Sequence, residues 1–282
     1  MAHAMGKDPV ERDRVEPGGH ASQGWHTVPR ELALACGGVL MYFGVRGLTV
    51  GSADVALRHA GDIVSAEQGL GVYVEPSWQR LVEDSHFLTT AANWIYIWGH
   101  WPVIVLTLLW LVLDHPAGYR LTRDTLLASG AVGMMTFALY PVAPPRLAGL
   151  GLIDTVTMYS TSYRVLQPHA LVNPYAAMPS LHVGWDLLMG IALFTYSQHR
   201  AIRLFGVLLP VLMAVSVIVT ANHYLVDAIV GAGLVLTCRW VVQRLGPRFE
   251  AHRHIHASSH PPLDTPPKQS GQLAQSELAS RR

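Results

Sequence analysis

The sequence predicts an all-α integral membrane protein: a six-span helical bundle with both termini cytoplasmic. Three observations lead there. Half of the 282 residues are apolar and only 14% are charged, against about 25% charged in an ordinary soluble domain. The apolar residues gather in blocks, several close to the ~20 residues that cross a bilayer. The cationic residues also divide unevenly between the two sides those blocks define. Such blocks exclude disorder for the body of the chain. A net charge of +1, with no basic patch apart from membrane-flanking arginines, argues against a nucleic-acid partner. Six spans leave no room for a second sizeable domain.

Residues 1–30 are polar and read as a loose cytoplasmic tail, and 31–244 as the membrane domain. The first span runs from Leu32 to Val50. Its run Leu-Ala-Leu-Ala-Cys36 has the polar stretch Gln23 to Arg30 upstream, which argues against a cleaved leader. Segment 51–86 mixes six carboxylates (Asp54, Asp62, Glu67, Glu75, Glu83, Asp84) with apolar residues, the pattern of one or two amphipathic helices at the interface. The second span, Phe87 to Leu113, carries Asn93, Tyr96 and His100 at helical spacing, read as a hydrogen-bonded packing stripe. Span three covers Asp124 to Val142. An extracytoplasmic loop, 143–182, is rich in Pro and Tyr. Spans four (Val183–Ser197), five (Ile202–Ala221) and six (Tyr224–Val242) follow with tight connections. From 245 to 282 the chain is rich in Pro, His, Gln and Ser and reads as a disordered cytoplasmic tail, with His252, His254 and His256 solvated in it. Cys36 and Cys238 lie in apolar blocks and form no disulfide or metal motif.

With the N-terminus inside, 15 Lys and Arg residues fall on the inner side. Only Arg58, Arg80, Arg146 and Arg164 fall outside. That bias supports an even number of spans.

The unusual polar residues fall on the outer side. Pro144-Pro145-Arg146 closes span three, Asn173 to His182 opens span four, and Asn222 to Asp227 opens span six. His182 and His223 are 41 residues apart, two crossings, so both belong at one face. His223 and Asp227 are four apart on a helix and share a side, where the carboxylate can orient the ring. Ser180 occupies an N-cap position, aiming the positive end of span four at the same place. Arg146 offers a fork for two phosphate oxygens. These parts suit a phosphoryl group attacked by one histidine while the other protonates the leaving oxygen. Asn173, Tyr175 and Asn222 are further candidate substrate contacts.

Pro179-Ser180-Leu181-His182, and His223 with Asp227, resemble two signatures of the type 2 phosphatidic-acid phosphatase superfamily. The wider wording, Tyr140 to Arg146 and Ala176 to Trp185, is similar to the branch that holds inositol-phosphorylceramide synthases, the aureobasidin-resistance type. The resemblance implies a six-span core using neither metal nor cofactor. It implies His223 as the nucleophile of a phosphohistidine intermediate, Asp227 as its partner, His182 as general acid, and Arg146 and Ser180 on phosphate oxygens. Two family cations are missing: their positions hold Leu139 and Val217, with Arg164 and Arg46 as candidate replacements. A site with fewer cations favours a singly charged diester donor, hence head-group transfer.

The expected protein is a multi-pass plasma-membrane enzyme acting on lipid phosphates at the outer leaflet, its partners being that substrate and the surrounding lipids. The alternatives are a phosphatidic-acid or prenyl-diphosphate phosphatase and, from another class, a non-catalytic lipid-phosphate binding or transport protein. Oligomeric state is left open.

Overall fold

In the computed structural model the described residues are 53–159 and 173–258, with side chains to 245, and a few positions between 29 and 44. They form α1 (Ala53–Gly69), α2 (Glu75–Glu83), α3 (His86–Trp98), α4 (Trp101–Asp114) and α5 (Pro116–Leu139). A 3₁₀ turn (Pro145–Leu147) and the short α6 (Thr155–Tyr159) precede α7 (Leu181–Tyr196), α8 (Arg200–Val219) and α9 (Leu225–Ser258). Among the described residues the one β pairing is a parallel bridge, Val142 to Ala176. The described residues are all-helical, as expected.

Two helical stretches, Arg200–Val219 and Leu225–Leu245, are long and apolar enough to cross a membrane, and α3 with α4 passes as a pair bent by 43°. Among the described residues that makes two candidate spans, or three with the bent pair, where the sequence predicts six over the whole chain. The expected first span lies largely outside the described residues. α5 begins at Pro116, earlier than the predicted Asp124, and so carries Arg120, Arg123 and Asp124 in its opening turns. α7 has 16 residues, ~24 Å of helix, short of a ~30 Å hydrocarbon core. Large apolar side chains nonetheless stand exposed along α4 (Val105, Leu106) and α8 (Leu204, Val207, Val211). Surface of that kind needs an apolar solvent, which a bilayer supplies.

The predicted second span is a broken one. Pro102 has no N–H to give the Trp98 carbonyl, so the ladder is interrupted there. Gly99 makes the bend possible, because a Cβ at that position would strike the Ile95 carbonyl oxygen. Segment 51–86 does form two helices, α1 and α2, but they are more than an interfacial layer. Ala56, Ala60 and Ile63 of α1 pack against Val142, Ala143 and Ala177. His59 stacks on Tyr140 at 3.8 Å and its Nδ1 donates to the Pro141 carbonyl at 2.8 Å.

α7 is the central element. Leu181, Trp185, Leu188 and Met189 pack with Ile104 of α4, Phe137 of α5, Leu209 of α8 and Val235 of α9. Its start lies against α9 so closely that a Cβ on Gly231 would collide with the Ser180 carbonyl oxygen. Small residues allow such backbone approach between membrane helices. α9 is helical as far as Ser258. The helix thus runs past 245, where the sequence predicts disorder, and His252, His254 and His256 have side chains outside the described ones.

Gly231→Val adds atoms where the Ser180 backbone already stands. The expected loss is about 1–3 kcal/mol of stability, with a matching drop in the thermal midpoint of the detergent-solubilised protein. An unchanged midpoint would contradict the close contact.

Candidate active site

Three distant segments meet at one end of α7 and α9. The chain leaving α5 is tied to the segment before α7 by Val142 N–H to the Tyr175 carbonyl at 2.8 Å. Arg146 N–H donates to the Ala221 carbonyl at 3.0 Å, and Ser180 N–H to the Asp227 carbonyl at 2.9 Å. α7 leads away from this end and α8 returns to it, so His182 and His223 come back together with ring centroids 5.7 Å apart. The Met178–Pro179 peptide bond is cis. Ala221, between α8 and α9, is left-handed at φ +55°, a conformation that costs a non-glycine residue about 1–2 kcal/mol.

The buried His223 ring is held through Nδ1, 2.7 Å from the Ala177 carbonyl oxygen. A carbonyl only accepts, so Nδ1 carries a hydrogen, and in the neutral ring the lone pair is on Nε2. The sequence assigns that orienting bond to Asp227. The carboxylate instead lies 3.6 Å from Nδ1, beyond hydrogen-bond range, because its Oδ2 accepts the Tyr224 N–H at 2.9 Å. Asp227 supplies negative charge beside the ring, and the Ala177 backbone supplies the orientation.

Ser180 stands at the N-cap position of α7 without making the expected capping bond. Its fully buried Oγ has no hydrogen-bond partner, a state that costs about 1–3 kcal/mol. Arg146 donates from Nη1 to Asn222 Oδ1 at 2.6 Å and sets Nε 3.2 Å from Asp154 Oδ2. Asn222 is anchored in turn by Nδ2 on Thr220 Oγ1 at 2.8 Å, so it holds the arginine. Asn173 is buried and its Oδ1 accepts the Tyr175 N–H at 3.0 Å, forming a turn. The half-buried Tyr175 serves the cluster through its carbonyl.

His182 lies against two rings: Tyr96 at 4.7 Å and His100 at 4.4 Å between centroids. His100, buried at the α3–α4 break, donates from Nδ1 to Asp186 Oδ1 at 2.8 Å. It also stacks parallel to Trp185 at 5.9 Å. The stripe read as simple packing therefore divides. Asn93 does pack, exchanging hydrogen bonds with Thr155 at 3.0 Å, while Tyr96 and His100 belong to the site.

A family model of the PAP2 superfamily matches residues 61–241, well over half of the chain. The chain belongs to the PAP2 superfamily. No curated protein and no solved structure matches it. PAP2 membership supports a phosphatase or phosphotransferase acting on lipid phosphate esters, with a lipid substrate as partner. It does not extend to the inositol-phosphorylceramide branch.

In this PAP2 protein neither missing cation is restored from its own position. Leu139 is exposed at the end of α5, and Val217 is fully buried in α8. Arg46 and Arg164 lie outside the described residues. Among the described residues no group of three or more His, Cys, Asp or Glu side chains is placed to hold a metal ion.

Asp186, Glu67 and Glu75 escape the sequence reading. Asp186 had a signal: it is the one acid in the apolar α7, four residues after His182, and an intramembrane acid marks function by default. The two glutamates are hidden among six carboxylates. Glu75 Oε1 accepts the Leu225 N–H at 2.7 Å and Glu67 Oε1 the Val226 N–H at 2.8 Å, so both cap α9 just after His223. Burial, followed by the neighbouring Glu75 and Asp227 carboxylates, raises the Glu67 carboxyl from its ordinary 4.5 to about 8, against the lowering effect of the Val226 bond.

A carboxyl that binds its proton more tightly in the fold contributes stability that is fully present below pH 4.5. That stability is lost as pH rises toward about 8. The thermal midpoint is expected to fall across this window, and Glu67→Gln to fall less. Equal pH slopes for wild type and variant would contradict the assignment.

Proposed function

We propose that this PAP2 protein moves phosphoryl groups of lipid phosphate esters through a phosphohistidine on His223, with inositol-phosphoryl head-group transfer as the specific reaction. The observation that carries the reading is the paired histidines. His223 has its Nε2 lone pair available, and its ring lies 5.7 Å from that of His182.

In the proposed first step His223 Nε2 forms a bond to phosphorus as the bond to the leaving oxygen breaks. His182 gives its proton to that oxygen. The phosphorylated ring becomes cationic, and the Asp227 carboxylate 3.6 Å from Nδ1 offsets that charge. In the second step an acceptor hydroxyl or water attacks phosphorus, His182 takes its proton, and the nitrogen–phosphorus bond breaks. Ser180 Oγ, buried and unpartnered, is suited to a phosphate oxygen, as is the Arg146 fork. Water as acceptor gives a phosphatase, and a lipid or sugar hydroxyl gives a transferase.

The site has two helix N-termini, each favourable to an anion. That of α9 is filled by Glu67, Glu75 and Asp227. This supports the start of α7, beside Ser180, as the place for phosphate. The absence of cations at Leu139 and Val217 supports a singly charged diester over a doubly charged monoester. The same absence favours a second reading, a protein that binds lipid phosphate without turning it over. An active site at the outer face of a plasma membrane is part of the proposal and rests on the arginine distribution.

Membranes holding wild type or His223→Ala are to be given phosphatidic acid, a prenyl diphosphate, and phosphatidylinositol with a lipid alcohol. Products are read by mass spectrometry. Transfer without phosphate release, lost in His223→Ala, is the expected result; His223-dependent release instead identifies a phosphatase. Lipid binding that survives in His223→Ala, with no turnover from any donor, would establish the binding protein. The pH profile of kcat/KM is expected to be bell-shaped, because the two histidines act in opposite protonation states.

A further inference from the structure

We propose that Glu67 and Glu75 are positioning residues for His223, a buried carboxyl pair that holds one proton between its two acids and grips the first amides of α9. The inference rests on the reading of His223 as nucleophile.

Three successive N–H groups directly after His223 are each taken by a carboxylate from a different part of the chain. Tyr224 N–H goes to Asp227 Oδ2, Leu225 N–H to Glu75 Oε1 of α2, and Val226 N–H to Glu67 Oε1 of α1. Glu67, Glu75 and Asp227 are all fully buried. A helix N-terminus carries only about half a positive charge, too little for three ionised carboxylates. The groups that face Glu67 are acids as well: Glu75 from α2, Tyr73 from the α1–α2 connection, and Tyr224 and Asp227 from the start of α9.

Each of the three carboxylates keeps one oxygen in the interior with no hydrogen bond: Glu67 Oε2, Glu75 Oε2 and Asp227 Oδ1. Adjacent buried acids relieve this by retaining a proton, and the pair then titrates as a unit. One proton shared by the pair removes one of the buried like charges. The raised Glu67 carboxyl agrees.

The clamp begins one residue after His223, whose ring depends on a single bond to the Ala177 carbonyl. With the proton in place, both glutamates hold the helix start still. Once it is lost, like charges face each other across the amides, and the ring shifts relative to the phosphate site. A displacement near 1 Å is enough to cost ~100-fold in rate.

The test uses the full-length protein in detergent, with Glu67→Gln, Glu67→Ala, Glu75→Gln and His223→Ala. Infrared difference spectroscopy reads the carbonyl band of a protonated buried carboxyl. The His223 titration is followed by NMR of ring-labelled histidine, assigned with His223→Ala. A protonated-carboxyl band at neutral pH is expected, lost on titration through about pH 8 and missing from Glu67→Gln. Glu67→Gln should titrate His223 as wild type does, whereas Glu67→Ala should shift that titration and lower kcat by about 10- to 100-fold at little change in KM.

The absence of any such band at neutral pH would overturn the shared proton. So would a band that disappears on adding magnesium or calcium, which would mark a cation site. An unshifted His223 titration in Glu67→Ala would overturn the positioning role. Turnover retained in His223→Ala would defeat the nucleophile reading, and the infrared result would still decide the shared proton.

Discussion

Close approach of two backbones, Ser180 at the head of α7 and Gly231 nearly two turns inside α9, is the constraint on which this site depends. Ser180 N–H bonds to the Asp227 carbonyl in the same crossing. That contact brings His182 and His223 from separate helices together, with ring centroids 5.7 Å apart. Trp185 reaches Ser129 of α5 at 3.1 Å, and Gln79 of α2 bonds to the carbonyls of Ile153 and Val219.

The electrostatic arrangement follows from the same crossing. Two helix N-termini point into one place, where their dipoles add. The α9 terminus is neutralised by acids from the chain itself, and the α7 terminus keeps a buried serine hydroxyl with no partner. In the proposed mechanism the phosphate is therefore assigned to the α7 end. The His100–Asp186 pair lies beside His182, a second imidazole–carboxylate couple whose ring is 4.4 Å from the general acid of the proposed mechanism and tilted by 38°.

The parts of the site that follow from chain return were legible in the sequence. A 41-residue separation carries His182 and His223 to a common end whatever the details of the bundle, and Arg146 lies at the end of the preceding helix. What spacing could not convey is which acceptor reaches a ring first. Asp227, four residues after His223, is drawn onto the Tyr224 amide, and a carbonyl 46 residues away takes Nδ1. Glu67 and Glu75 were unreadable for a related reason. Their partners are amides 159 and 150 residues on, and nothing in an acid-rich amphipathic segment marks two of its six carboxylates as buried. The break at Gly99 was written in the sequence, since Pro102 removes a donor from the middle of an apolar run. The six spans depended on apolar length, and α5 and α7 show why that measure is weak, one opening with charged turns and the other short.

A phosphohistidine is a covalent species, so the bond itself is what tests the proposed mechanism. The wild-type protein is quenched under alkaline conditions during turnover of a lipid phosphodiester, digested, and the His223 peptide read by mass spectrometry and phosphorus NMR. The expected result is a phosphoryl adduct on His223 at Nε2, the nitrogen that the Ala177 carbonyl leaves unprotonated. Turnover proceeding with no adduct on His223, or an adduct at Nδ1, would contradict the account.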